Sequence, residues 1–364
     1  MSRDLRRMYR TAVSSQDLPQ KMSLVFDGRE LVFERMSWRL GDEDLGLRYG
    51  TNPHQPAAIY RAQGLDVKAL GDMKLRKSGK GGLSATNIED GYRALRIVGR
   101  FPESAASVMK HLNPSGVGIA SDPGECQGDV FEKAWSGDPR ASYGCVAGFN
   151  KPLDETVAHS IIRDRKYVEC IFAPGCTDGV VDLLSERRDL RIVEVSDART
   201  ALERLLPFEI RVLGDTILLE QPFYTKFASV DDLENSMVAT KRLPTGAELR
   251  DLLHAWWVCC EKRSNGVTLW KKDRALGVGT GQQDRIGAIE VAVARATRSG
   301  HDLQGSVLAS DGYMLSDNIK PLSDVGVTAV IQPGGSVSDK EVIEACNEHG
   351  ISMLFTGERV FRHF

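Results

Sequence analysis

The stretch "VMKHLNPSGVGIA", residues 108–120, decides how the chain is read. Apolar Val108 and Met109 run into Lys110 and His111, and Asn113-Pro114-Ser115-Gly116 follows at once. The apolar run predicts a strand, and the Asn-Pro-Ser-Gly cluster predicts that the strand leaves the sheet into a loop. Open α/β sheets place their chemistry at such ends, because the sheet holds a side chain rigid while the loop leaves it reachable. A Lys-His pair alone is more often solvated surface, so the surrounding sequence must supply the context.

Outward from this stretch, short apolar runs alternate with helical patterns. "ATNIEDGYRALRIVGRF" (85–101) reads as a helix, with Thr86 or Asn87 as N-cap and Ala94, Leu95 and Val98 at helical spacing. "AASVMK" is the strand after it. "GCVAGFN" and "VECIFAPG" read as buried strands around the helical "DETVAHSIIRDRKY" (154–167). Beyond residue 200, "FEIRVLGDTILLEQ" is a strand pair and "GAELRDLLHAWWVCCEKR" (246–263) an amphipathic helix. "GVTLWKKDRALGVGTG" is a hairpin, and "DRIGAIEVAVARATRSG" (284–300) is apolar on nearly every face, which predicts a buried helix. The alternation predicts an α/β fold. A chain of 364 residues suits two domains, expected at 46–200 and 201–364. Residues 1–45 are expected to form a polar arm and one hairpin, "MSLVFDGRELVFERM", turning at Asp27-Gly28.

Composition excludes several classes. A net charge of −3 gives no argument for nucleic acid or an anionic membrane surface. No apolar run approaches the roughly 18 residues that span a bilayer, and the N-terminus lacks the apolar centre of a secretory signal. The expectation is a cytoplasmic protein. Seven cysteines, an odd number with no CxxC, suit reduced thiols in such a compartment. "GVGTGQQDRIG" fails the dinucleotide fingerprint because Gln282 stands where glycine is needed. "SGKGG" is not a Walker A loop, and Cys259-Cys260-Glu261 matches half of a zinc-deaminase signature whose other half is absent. No metal catalysis is expected, and no zinc.

What remains is a concentration of polar residues in turns. Arg48, Tyr49, Asn52, His54 and Gln55 share "RYGTNPHQ"; Lys110, His111 and Asn113 share "KHLNPSG". Ser264 and Asn265 end a helix, Asp311 and Asp317 lie in "SDGYMLSDN", and Ser336, Arg359 and His363 follow. Each alone reads as a turn or cap. Together they read as a small-molecule site at strand exits.

The motifs "LRYGTNPHQPAAIY", "KHLNPSGVGIA", "DPRASYGCVAGFN", "IFAPG", "SNGVTLW…LGVGTGQQDRIGA" and the segment from "SDGYMLSDN" to "TGERVFRH" carry a family resemblance. In this order they resemble the AICAR transformylase domain of the bifunctional purine-biosynthesis enzymes, from about residue 46 onward. Residues 1–45 carry no resemblance. The resemblance implies two cytidine-deaminase-like three-layer α/β domains and a homodimer with active sites at its interface. It also implies formyl transfer from 10-formyltetrahydrofolate to the 5-amino group of AICAR, giving FAICAR in IMP biosynthesis. It assigns catalysis to Lys110, His111 and Asn265, and substrate binding to Arg48, Tyr49, Asn87, Tyr143, Gly144, Glu169 and Arg359. Tyr313, Asp317 and Ser336 fall on the folate side. A structural monovalent cation such as potassium occurs in some relatives.

Those residue types suit the chemistry. The acceptor amine is conjugated and weakly nucleophilic, so a base must take its proton, and histidine titrates near neutrality. A lysine and an asparagine amide can stabilise the tetrahedral oxyanion, and arginines hold a phosphate bidentately. Two departures from the family pattern stand out. Ser115 stands where cysteine is frequent, which argues against a covalent cysteine intermediate. Met314, Leu315 and Ser316 replace aromatic and arginine residues, so the folate pocket is expected to differ. Only about 45 residues precede the first motif, so the chain is expected to lack the IMP cyclohydrolase domain and to depend on a separate cyclohydrolase. Two other readings stay open: a catalytically silent nucleotide-binding paralogue, and a formyltransferase for a related aminoimidazole.

Overall fold

The computed structural model describes residues 13–64, 70–203, 205–234 and 236–363. Most of the polar arm expected at the N-terminus therefore lies outside the described residues. The fold is mixed α/β, as expected, and it divides into two compact units. The first takes in 1–111, 126–129 and 143–203; the second takes in 112–125, 130–142 and 204–364.

In the first unit the strands run Ala105–Lys110, Cys145–Phe149, Val168–Ala173, Arg191–Glu194 and Lys74–Ser78 across the sheet. The three central ones are parallel to each other, and both outer pairings are antiparallel. Their runs of Val, Ile, Phe and Ala are buried on both faces, which explains why they read as continuous apolar segments rather than alternating ones. Each buried Ile or Phe among them contributes about 1.5–3 kcal/mol. Helix Ala85–Val98 packs on this sheet through Ala94, Leu95 and Val98. Its cap is Ser84, upstream of the expected Thr86 or Asn87. Ser84 Oγ accepts from Asn87 N at 3.3 Å, and Ser84 N donates to Asn87 Oδ1 at 3.1 Å, a reciprocal capping box. The expected hairpin forms as Lys21–Phe26 and Arg29–Arg35, with Asp27 and Gly28 at φ 48° and 74°. It is not alone: strand Tyr60–Ala62 pairs with its second arm, making a three-stranded sheet.

In the second unit the strand order is Met237–Val238, Ser352–Phe355, Val327–Gln332, Ser306–Ser310, Val267–Lys271, Arg274–Gly279 and Asn113–Ile119. The strands from Ser306 to Phe355 pair in parallel; the other pairings are antiparallel. Alternate residues of Val267–Lys271 serve two layers, as the strand period of two requires. Val267 and Leu269 join Ala288, Ile289 and Ala292 in one core, while the Trp270 ring meets His254 of helix Gly246–Cys259.

The structure corrects three readings. Residues 113–119 are a strand, not a loop. Gly116 and Gly118 signalled a turn, but they permit close packing: a Cβ would stand 1.9 Å from Ala134 O at Gly116 and 2.5 Å from Val130 O at Gly118. Both long helices of this unit depart from their readings, the first only in its last turn: Gly246, Ala247 and Arg250 are exposed, as an amphipathic helix requires. Helix Gly246–Cys259, read as amphipathic, is buried on all sides over its last turn, from Ala255 to Cys259. Helix Arg285–Arg298, read as wholly buried, buries one face: Ala288, Ile289, Ala292 and Ala296. Small residues need little cover, so an alanine-rich helix looks more buried in sequence than it is. Two tryptophans flanked by charge are the reverse case.

Candidate functional site

In the first unit the Lys-His pair sits where the sequence places it, at the end of strand Ala105–Lys110. Lys110 Nζ donates to the Tyr143 carbonyl at 2.6 Å. Gly144, at φ 76°, donates its N–H to Tyr167 O at 2.7 Å, and the rings of Tyr143 and Tyr167 lie 5.0 Å apart. A Cβ at Gly144 would stand 3.4 Å from the Tyr167 ring and 3.8 Å from Lys110 Nζ. His111 and Leu112 both adopt left-handed backbone, φ 53° and 64°, so the chain turns within two residues. The His111 N–H donates to Asp90 Oδ2 at 3.2 Å. Asp90 is buried on helix Ala85–Val98, three residues after Asn87, so both project from one face of the helix. Asn87 Nδ2 donates to Glu169 Oε2 at 3.4 Å. One helix face and two strand ends thus hold Lys110, His111, Asn87 and Glu169.

Arg48 and Tyr49 form a second group in this unit. Arg48 is buried; its Nη1 donates to Lys80 O at 2.6 Å and its Nη2 to Tyr49 Oη at 2.8 Å. Arg191, also buried, donates to the same Lys80 carbonyl at 3.1 Å and to Gly82 O at 2.9 Å. Among the described residues neither guanidinium has a carboxylate at ion-pair distance, and Arg48 Nε is buried without a hydrogen-bond partner. Burial, and then the like charge of Arg191, pull the Arg48 guanidinium below its usual value. Glu169 and Tyr49 offset this only in part, so the place keeps a positive charge suited to an anion. The neighbouring turn gathers Asn52, His54 and Gln55 without building a site. Gln55 Oε1 accepts from both Asn52 N and Nδ2 at 2.9 Å, so these side chains fasten the turn.

In the second unit Asn265 is held at both ends of its amide. Its Oδ1 accepts from Arg285 Nη2 at 2.8 Å, and its Nδ2 donates to Gln282 O at 3.0 Å. One amide hydrogen is left over. Arg285 also reaches Asp311 Oδ1 at 2.5 Å and Gly266 O at 3.1 Å, while Ser264 Oγ donates to Asp311 Oδ2 at 2.8 Å. Asn113 Oδ1 accepts from Arg263 N at 3.0 Å. Arg359 is exposed and stacks over the Phe361 ring at 4.5 Å; His363 is exposed beside the same ring. Tyr313 is 51% exposed and Asp317 accepts from Asn318 Nδ2 at 2.9 Å. Met314 is fully buried in the core, so of the three altered residues only Leu315 and Ser316 are exposed. Ser336 Oγ accepts from Ser338 N at 3.2 Å, and no described hydrogen bond joins it to Tyr313 or Asp317.

Asp90, Tyr167, Arg191, Gln282 and Arg285 were not among the sequence candidates. Asp90 and Arg285 sit on helices where a charge reads as solvated face, and only the fold turns them toward Lys-His and Asn265. Among the described residues no three His, Cys, Asp or Glu side chains gather as a metal would require. No described helix is long and apolar enough to cross a membrane.

Residues 15–295 match the family described as the AICARFT/IMPCHase bienzyme. The chain belongs to the AICARFT/IMPCHase bienzyme family. Its relatives include bifunctional purine biosynthesis protein PurH of Anoxybacillus flavithermus, 35% identical over 360 residues, which is 98% of this chain and 63% of the relative. PurH of Acetivibrio thermocellus is 34% identical over 355 residues, 97% of this chain and 63% of the relative. PurH of Acidithiobacillus ferrooxidans is 38% identical over 342 residues, 94% of this chain and 63% of the relative. The chain thus spans less than two thirds of the length of these relatives. The family match begins at residue 15, so the reading that residues 1–45 stand outside the resemblance is corrected for 15–45. The Asp27-Gly28 hairpin is part of what the family shares.

Proposed function

We propose that this AICARFT/IMPCHase family member transfers a formyl group from 10-formyltetrahydrofolate to the 5-amino group of AICAR. The observation that carries the reading is the Lys110–His111 pair: a strand end fixed by Asp90 and the Tyr143 carbonyl, in a unit that also holds the buried Arg48 and Arg191 charge. His111 takes the proton of the attacking amine as the carbon–nitrogen bond forms. Lys110 and the free amide hydrogen of Asn265 stabilise the oxyanion, and the bond to N10 of the folate then breaks, N10 taking up a proton. Arg48, with Tyr49, takes the nucleotide phosphate, and Arg359 is a second phosphate contact. Asn87, Tyr143, Gly144 and Glu169 border the aminoimidazole carboxamide; Tyr313, Asp317 and Ser336 border the folate.

The family resemblance supports two cytidine-deaminase-like domains, at 46–200 and 201–364, and a homodimer with active sites at its interface. None of the seven cysteines is in a disulfide, which suits the cytoplasm. A silent nucleotide-binding role is the weaker reading, because the bonds that orient His111 and Asn265 would then have no purpose. The test is the purified chain with AICAR and 10-formyltetrahydrofolate, following tetrahydrofolate release by absorbance. AICAR-dependent release supports the reading; binding of AICAR with no release moves the chain to the silent class.

A further inference from the structure

Lys262 is wholly inside the second unit, with none of its side chain exposed. Its Nζ bonds Cys259 Sγ at 2.7 Å and Cys259 O at 3.5 Å. An ammonium has three donors, and these partners, a thiol and a distant carbonyl, satisfy it poorly. Burial pushes the Cys259 thiol up to about 11, with Lys262 pulling the other way, so at neutral pH the sulfur is a thiol and not a counter-ion. Leaving a charge buried on such terms is costly.

Its position supplies a reason. A Cβ at Gly266 would stand 2.7 Å from Lys262 Nζ and 2.9 Å from Cε, so the tip of the lysine fills the space beneath residue 266. That space underlies the segment presenting Asn265. Ser264 N bonds Arg362 O, Asn265 N bonds Gln282 O, and Gly266 O accepts from Asp311 N and Arg285. Two buried carboxylates lie in the same neighbourhood of the chain: Asp311, held by Arg285, and Glu261, near Arg362. Lys262 adds a third positive charge to this set.

We infer that Lys262 is a built-in monovalent cation: its ammonium fills the hollow beneath residues 263–266 and holds the Asn265 amide in place. Potassium and ammonium share a charge and nearly share a radius, so the cation that the resemblance allows has its work done here by the chain itself. Lys262 is a positioning residue. The role of Asn265 rests on the proposed function; the claim about the hollow does not.

The experiment compares wild type with Lys262→Ala and Lys262→Met in potassium, ammonium, lithium and tetramethylammonium chlorides at one ionic strength. Thermal unfolding is read first. Potassium and ammonium should raise the midpoint of Lys262→Ala over tetramethylammonium, while wild type and Lys262→Met, whose hollow is filled, do not distinguish the salts. In turnover, both variants should lose at least about tenfold in kcat with the KM for AICAR within about threefold. Only Lys262→Ala should recover with potassium or ammonium. Lys262→Met at wild-type kcat, a Lys262→Ala midpoint and kcat that do not distinguish the salts, or a wild type that needs potassium, would each overturn the inference. If Lys262→Ala does not fold, Lys262→Met against wild type decides the need for the charge. A wild type that transfers no formyl group sinks the proposed function and leaves the thermal comparison standing.

Discussion

Arg285 fixes the orientation of Asn265: its Nη2 meets the asparagine Oδ1 at 2.8 Å while its Nη1 is anchored on Asp311 at 2.5 Å. With Asn265 Nδ2 on the Gln282 carbonyl, the amide has one sense only. A planar fork can serve Asn265, Gly266 O and Asp311 together, and a lysine cannot. Arg285→Lys should therefore lower kcat by one to two decades, roughly 1.4–2.7 kcal/mol of transition-state stabilisation. Steady-state kinetics checks this. A rise in KM with kcat unchanged would make Arg285 a substrate contact instead.

His111→Ala should lower turnover by at least about a hundredfold, as expected for loss of a general base. AICAR binding should stay within about tenfold, ~1.4 kcal/mol, because Arg48 and Tyr49 are untouched. Calorimetry beside the rate assay separates the two effects. Turnover near wild type removes His111 from the mechanism.

His254 gives a pH dependence unrelated to catalysis. Burial, and then Arg250, lower its pKa to about 4, and its ring packs between Trp257 and Trp270. The unfolded chain therefore binds a proton near pH 6.5 that the folded chain resists until about pH 4. Stability from the neutral ring is complete above pH 6.5 and is lost as pH falls toward 4, by about 2 kcal/mol between pH 7 and pH 5. Urea unfolding at those two pH values should show the loss, and His254→Leu should remove most of it. An unchanged difference in the variant would mean that other groups carry the slope.

Lys133 joins two carboxylates in the second unit, Glu125 at 2.5 Å and Asp273 at 2.8 Å, and also bonds Ser121 Oγ at 2.9 Å. Burial pushes the Asp273 carboxyl up, but bonds from Arg274, Lys133 and Ser121 outweigh it and hold it at about 2. Lys133→Met would leave Glu125 without its cation and Asp273 with Arg274 alone, at a cost of about 3 kcal/mol. The double variant with Asp273→Asn should recover part of that. A loss under about 0.5 kcal/mol in the single variant, the scale of an exposed ion pair, would show that solvent already screens the cluster.

The strands, the hairpins and the Lys-His strand end were legible because apolar period and turn chemistry are local. The sequence misled where one residue type serves two ends. Glycine at 116 and 118 means a turn in one setting and close helix packing in another, and only the position of the Val130 and Ala134 carbonyls decides. Arg285 was invisible for a related reason. It follows Asp284, which caps its helix, and a charged residue in a first helical turn reads as solvated until Asp311, just past the strand Ser306–Ser310, is known to face it. Met314, Leu315 and Ser316 together predict an altered folate pocket, and the buried side chain of Met314 takes one of the three into the core.

The carbonyl of Lys80 accepts from two buried guanidiniums, Arg48 and Arg191, and that sharing makes the first unit's stability depend on its solution. Like charges held this close repel, and the fold bears that repulsion whenever the place is filled by water. A doubly charged oxyanion relieves it; a chloride relieves less, having one charge and no fork of acceptors. By mass action, an anion present at a hundred times its dissociation constant adds about 2.7 kcal/mol to the folded state. Sulfate and inorganic phosphate should therefore raise the melting temperature above chloride at equal ionic strength, and Arg48→Met should narrow the gap. The buffer chosen for purification is then a ligand in its own right, and melting curves from different laboratories become comparable only when their anions are.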